Sequence, residues 1–247
     1  MNKILNHIVM LAIILIAASC TGKVSRKELD KDAADSIVEV KPQYAKGFTV
    51  RMLDNGIRLV DVKDPQKSKG MTYHFALVNQ GMEATDIPEG YTRIDVPVRR
   101  TILMTMLQLS NFTILNAHDV VKGITGTKNL FNKDILQRVK KGEIVKIGME
   151  GNFDPELVMA AAPEIIFISP FKRGGYDAIK ETGVTLVPHL GYKELDPLGQ
   201  AEWIKFVAMF IGKEKEANKI FSDIADRYNS LKTKVEAVGG ERPSIFS

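Results

Sequence analysis

The sequence predicts an α/β protein built on a parallel sheet, and three observations carry that expectation. A fully apolar run, Glu164-Ile165-Ile166-Phe167-Ile168-Ser169, has the composition of a strand buried on both faces. A short helix precedes it and another short helix leads to a second strand, Val184 to Val187, which is the spacing of a βαβ crossover. Near the C-terminus an apolar stripe recurs at helical spacing for about six turns, roughly 35 Å of rise.

The elements follow in order. Lys3 heads an apolar run, Ile8 to Ala18 carries no charge, and Ala17-Ala18-Ser19 places small residues before Cys20. Residues 1–19 are expected to be a signal peptide whose removal frees Cys20 for diacylglycerol attachment. The run falls short of the about 20 residues a membrane span needs. Residues 20–43 are polar and read as a flexible, lipidated tether. The first of them, Thr21-Gly22-Lys23-Val24, include no acid.

From Tyr44 the rhythm becomes that of strands. Phe48, Val50 and Met52 alternate, Asp54-Asn55-Gly56 turns, Ile57 and Leu59 resume, and Tyr73, Phe75 and Leu77 alternate again. This is an N-terminal β-meander. Ile94, Val96 and Val98 form a further period-2 run, and a helix is expected from Thr101 to Leu109. A strand over Val120 to Ile124 and a helix over Leu130 to Val139 follow.

Asp154-Pro155-Glu156 then starts a helix for a physical reason: Asp caps free N–H groups, Pro suits the first helical position, and Glu faces the positive end of the dipole. Pro163 closes that helix. Tyr176 to Thr182 makes a turn or two of helix with Gly183 as its C-cap. The result is a Rossmann-like lobe over residues 44–198. Helices occupy residues 199–240. In the first, Ala201, Ile204, Ala208 and Ile211 line one face. The second carries the long stripe, which suits a strut between lobes, a coiled-coil seam or a terminal capping helix. Residues 241–247 read as the opening strand of a second α/β lobe that is largely missing from this chain.

Composition narrows function. A single cysteine excludes an intramolecular disulfide. The net charge of +4 is spread along the 247 residues, with lysines alternating with acids and no interleaved aromatics, so no nucleic-acid partner is expected. There is no G-x-S-x-G elbow, and Gly123-Ile124-Thr125-Gly126-Thr127 lacks the Gly-Lys-Ser/Thr ending of a phosphate loop. His74, His118 and His189 stand in no zinc-binding spacing. Glu194 is the one visible acid/base candidate, and no enzymatic activity is expected.

Ligands of open α/β sheets gather at the carboxyl edge of the strands. On this reading Arg99, Arg100 and Thr101 follow one strand and Thr125 the next; Lys172, Arg173 and Tyr176 follow the third, and His189 and Tyr192 the fourth. Such a rim suits a large ligand with anionic groups and flat apolar surface, because Arg forks onto oxygen pairs while aromatic rings cover planar faces.

Several segments together resemble the periplasmic substrate-binding lipoproteins of ABC importers for iron–siderophores, haem and cobalamin. They are the Cys20 lipobox, Gly151-Asn152-Phe153-Asp154-Pro155-Glu156-Leu157, Ala162-Pro163-Glu164-Ile165-Ile166-Phe167 with Glu164 where that family has Asp, Gly183-Val184-Thr185-Leu186-Val187, and the helix after Gly212-Lys213-Glu214. Tyr192-x-Glu194-x-x-Pro197-Leu198-Gly199-x-Ala201-Glu202-Trp203-Ile204-Lys205 resembles a branch found in Bacteroides-like bacteria. The resemblance runs from Ile94 to the chain end. It implies two lobes joined by one long helix, with ligand between them and Glu156 docking onto arginines of the permease. It further implies a monomer in the periplasm, lipid-anchored to the cell membrane or the inner face of the envelope. Its partners would be an ABC permease/ATPase complex and an iron–siderophore, haem or cobalamin. Iron or cobalt would enter only as part of the ligand, with no resident cofactor or metal. A one-lobe envelope protein that binds a protein partner is the alternative class.

Overall fold

Fixed turns and alternating apolar residues build the first sheet. In a computed structural model, which describes residues 40–83, 86–128, 130–149, 152–170 and 176–238, strands β1 (Phe48–Met52), β2 (Arg58–Lys63) and β3 (Thr72–Asn79) pair antiparallel in sequence. The expected meander therefore forms. The next strand, β4 (Thr92–Val96), joins β3 in parallel, with Leu77 opposite Ile94, so the sheet is mixed.

The second sheet is parallel throughout. Its strands are β5 (Thr101–Leu103), β6 (Val121–Ile124), β7 (Val145–Lys146), β10 (Ile165–Ile168) and β11 (Thr185–Pro188), in the order β11-β10-β5-β6-β7. A small hairpin, β8 (Gly148–Met149) with β9 (Asn152–Phe153), follows β7. Six helices are described: α1 (Met106–Ile114), α2 (Lys133–Lys140), α3 (Pro155–Ala161), α4 (Asp177–Lys180), α5 (Pro197–Ile211) and α6 (Glu214–Val238).

The helix expected from Thr101 to Leu109 starts later. Thr101, Ile102 and Leu103 are fully buried and fill the gap between β10 and β6, where strand pairing overrides local helical preference. Thr105 then opens α1 through a capping box: its side chain accepts the Gln108 N–H, and the Gln108 Oε1 accepts the Met104 and Thr105 N–H groups at 2.7 and 3.1 Å. Elsewhere the local signals hold. Asp154 accepts from the Glu156 and Leu157 N–H groups to start α3, and Ala162 (φ 43°) with Pro163 ends it. Gly183 takes φ 72° after α4.

Strand alternation divides the core. On β10, Ile165 and Phe167 face α1 and α5, whereas Ile166 and Ile168 face Val158 and Ala161 of α3 and Ile179 of α4. Helix α5 was expected to bury one face, but every residue from Trp203 to Ile211 is buried. The reason is that two sheets enclose it. Phe48 of β1 meets the Trp203 ring at a centroid distance of 5.1 Å, and Phe167 of β10 meets Phe210 at 5.5 Å. The meander thus covers a helix face that the parallel sheet leaves bare, and the residue 198/199 boundary drawn from the sequence falls inside this helix.

Helix α6 spans 25 residues, about 37 Å. Its start is tied down by Glu214, paired with the Arg58 guanidinium, and by buried Ala217, Phe221 and Ala225. Farther along, the apolar stripe runs out into solvent, from Ile224 at 37% exposed to Val238 at 85%. No helix among the described residues is long and apolar enough to cross a membrane. Residues 1–39, which hold the expected signal, Cys20 and most of the tether, and residues 241–247 lie outside the described residues.

Candidate functional site

The strand order creates one place where the chain diverges. From β5 the connection through α1 leads to β6 on one side; from β10 the connection through α4 leads to β11 on the other. Between the carboxyl ends of β5 and β10 the chain connections diverge, and open α/β sheets take their ligands at such a switch point. Met104 and Thr105 enter it from β5 and bring the N-terminal, electropositive end of α1. Ser169 and Pro170 enter from β10. Thr125 stands beside them, its hydroxyl donating to the Met104 carbonyl at 3.3 Å. Met104 and Thr105 were not singled out from the sequence, in which Ser169 reads as a strand-end turn. The Thr105-x-x-Gln108 capping signature before an apolar run is the signal that could have found the first two.

The residues expected at this edge divide into four groups. Thr125 and Tyr192 lie on loops at the carboxyl edge, after β6 and β11, and Tyr192 is 38% exposed. Burial pushes its phenol up, with smaller contributions from nearby Tyr176 and Asp64. Lys172 and Arg173 lie outside the described residues.

The third group sits elsewhere. Arg99, Arg100 and Thr101 precede β5, so they belong to the amino edge, opposite the crevice. The Arg100 N–H donates to Glu164 at 2.8 Å, and its guanidinium donates to the carbonyls of Ala161 and Ala162 at 2.6 and 2.8 Å. Arg100 therefore closes the end of α3. Thr101 is wholly buried and donates to the Ile165 carbonyl at 3.1 Å.

Two further residues reach the right edge but turn inward. Tyr176 is 7% exposed, donates its hydroxyl to the Ser169 carbonyl at 3.0 Å and accepts from the Ser169 N–H at 3.2 Å. It holds the backbone of Ser169 at the end of β10. His189 is 2% exposed, lies 4.9 Å from the Trp203 ring, and its Nε2 is 3.1 Å from the Asn111 amide nitrogen. With the amide donating, Nε2 is the acceptor and Nδ1 carries the proton. Desolvation lowers its pKa to about 4. A neutral, buried imidazole supports the rim from below and offers no open face to a ligand.

Glu194 is likewise committed. It is 4% exposed, and its Oε1 accepts from the Lys46 N–H, the Gly47 N–H and the Trp203 indole at 2.9, 2.8 and 3.0 Å. An acid holding three donors has no free lone-pair direction for proton transfer on that oxygen. Among the described residues no group of three or more His, Cys, Asp or Glu side chains could hold a metal ion, so the three histidines do not converge.

Glu156 is exposed in the first turn of α3. With Pro155, Met159, Ala178, Glu181 and Thr182 it lines an open groove of about 530 Å³ between α3 and α4.

A parallel-sheet lobe with a switch-point crevice and a long helix leaving it is the frame of a ligand-binding protein, and the sequence places this one. The chain belongs to the periplasmic binding protein family, whose profile matches residues 106–246. It is 28% identical to an uncharacterized lipoprotein of Methanocaldococcus jannaschii, over 89% of this chain and 59% of that protein. A second uncharacterized lipoprotein of the same organism is 30% identical over 68% of this chain and 44% of its own length. The chain thus spans about half the length of the curated relatives it matches. Among solved structures, the petrobactin-binding protein YclQ of Bacillus subtilis superposes with a TM-score of 0.44 at 14% identity, covering 57% of this chain and 48% of that one.

Proposed function

We propose that this protein is the substrate-binding component of an ABC importer that captures an anionic iron–siderophore or haem, and that it is held to the membrane through lipid on Cys20. The observation that carries the reading is the switch point between β5 and β10, at whose carboxyl edge lie the α1 N-terminus, Thr125 and Ser169. Backbone N–H groups at a helix start favour negative charge. Tyr192 adds a half-exposed aromatic face at the same edge, and Lys172 and Arg173 lie in the segment that leaves β10. Glu156 would meet the permease, on the exposed groove beside α3. Binding without chemical conversion fits the committed state of Glu194.

The test is a titration of the full-length protein with haem, a ferric catecholate, a ferric hydroxamate and cobalamin, followed by absorbance and tryptophan quenching. A Soret shift selects haem, and saturation by the catecholate selects a siderophore. Saturation by cobalamin alone would replace the ligand class, and binding of none would leave a protein-interaction module. Replacing Cys20 with Ser should release the protein from the membrane fraction; an unchanged fraction refutes the anchor.

A further inference from the structure

The loop that carries Tyr192 is not held by the parallel sheet alone. Gln66, in the turn between β2 and β3, donates its side-chain amide to the Lys193 carbonyl at 2.8 Å. The Lys193 ammonium lies 3.7 Å from the Asp64 carboxylate. Asp64 is 4% exposed, and its second oxygen accepts the Gln66 N–H at 3.0 Å, which shapes the turn itself. Behind the larger effect of burial, Tyr176 and Asp64 also push the Tyr192 phenol up, so the turn and the rim loop share one neighbourhood.

This turn stands outside the span of the family match, which begins at residue 106. Residues 66–71 are all exposed, and Lys67 and Lys69 are among them. The meander therefore does two things. Its inner face covers α5, and its β2–β3 turn reaches the carboxyl edge.

We propose that the turn Asp64–Met71 is a side wall of the ligand edge, in which Lys67 and Lys69 contact negative charge on the ligand while Gln66 and Asp64 brace the Tyr192 loop. The proposal rests on the crevice reading above and narrows it to a ligand class, a multiply anionic chelate in preference to a neutral one. Lysine suits that task as a flexible, compact charge. Charges at a rim act chiefly on association rate and salt dependence.

The experiment titrates the full-length protein with a trianionic ferric tris-catecholate and a neutral ferric trihydroxamate. Wild type is compared with Lys67→Ala/Lys69→Ala, whose positions are exposed and whose circular dichroism should match wild type. The double variant should lose about tenfold in affinity for the tris-catecholate, with a flatter salt dependence, and change little toward the trihydroxamate. Bound tris-catecholate should also slow acylation of Lys67 and Lys69. If the tris-catecholate binds both proteins alike and leaves both lysines equally reactive, the wall is refuted while the crevice reading stands. If wild type binds neither probe nor haem, the crevice reading fails and the wall falls with it. The bracing half has its own readout: Gln66→Ala should speed amide exchange over Gly191–Glu194, and unchanged exchange overturns it.

Discussion

The indole of Trp203 donates to Glu194 at 3.0 Å, on the same carboxylate oxygen that accepts the N–H groups of Lys46 and Gly47. One buried acid thus joins the rim loop after β11, the central helix and the chain entering β1. Replacing Glu194 with Ala strands three donors, two of them buried. The loss should be about 3 kcal/mol of unfolding free energy, read by denaturant titration with circular dichroism, and Glu194→Gln should recover part of it.

Glu202 performs the neighbouring task, and its two partners differ in worth. It is fully buried, accepts the N–H groups of Gln43, Tyr44 and Ala45, and pairs with Lys205 at 2.8 Å. Glu202→Ala leaves a buried ammonium unpaired and should cost about 3–5 kcal/mol. Lys205→Met keeps the three backbone donors on the carboxylate and should cost clearly less. Equal losses would show that the ion pair, and not the backbone cradle, dominates.

His189 makes stability depend on pH. Its folded pKa of about 4 lies below the ordinary 6.5, so the unfolded chain binds its proton first. Stability from this group is complete above pH 6.5 and falls as pH drops toward 4, by on the order of 3 kcal/mol. His189→Leu should remove that slope. Denaturation midpoints of both proteins across the window give the comparison, and parallel curves would show that the imidazole is not held neutral.

Gly191 is needed for space. A Cβ there would stand 2.9 Å from the His189 ring and 3.0 Å from Trp203. Gly191→Ala should cost about 1–3 kcal/mol by overpacking and displace the loop carrying Tyr192. Near-ultraviolet circular dichroism of the single tryptophan would report the shift.

Glu156 separates docking from binding. On the proposed function, Glu156→Ala should leave ligand affinity unchanged and lower uptake, with a difference that shrinks as salt rises. A collapse of ligand affinity would move Glu156 into the ligand edge.

Much of the lobe is written in short stretches of chain. Asp154 announces α3, Gly183 turns the chain after α4, and Ile165–Ile168 reads as a buried strand, because each depends on hydrogen bonds and burial within a few residues. The carboxyl-edge positions of Thr125 and Tyr192 follow from the same local signals. The reading failed where neighbours come from far along the chain. Arg100 looked like a rim residue after a strand, yet β5 begins at Thr101, and a glutamate 64 residues away holds Arg100 at the amino edge.

The sequence by itself determined most of the helices and strands, though not β5, β7 or the β8–β9 pair, and that a parallel sheet would present an edge to ligands. Tertiary structure decided which loops share that edge, that α5 is buried on every side, and that His189, Tyr176 and Glu194 face inward. It also decided that the meander reaches the rim through Gln66 and Asp64. The division has a physical cause. Caps, turns and periodicity are satisfied by near neighbours, whereas strand order, enclosure and the direction of a side chain depend on surfaces that only folding brings together.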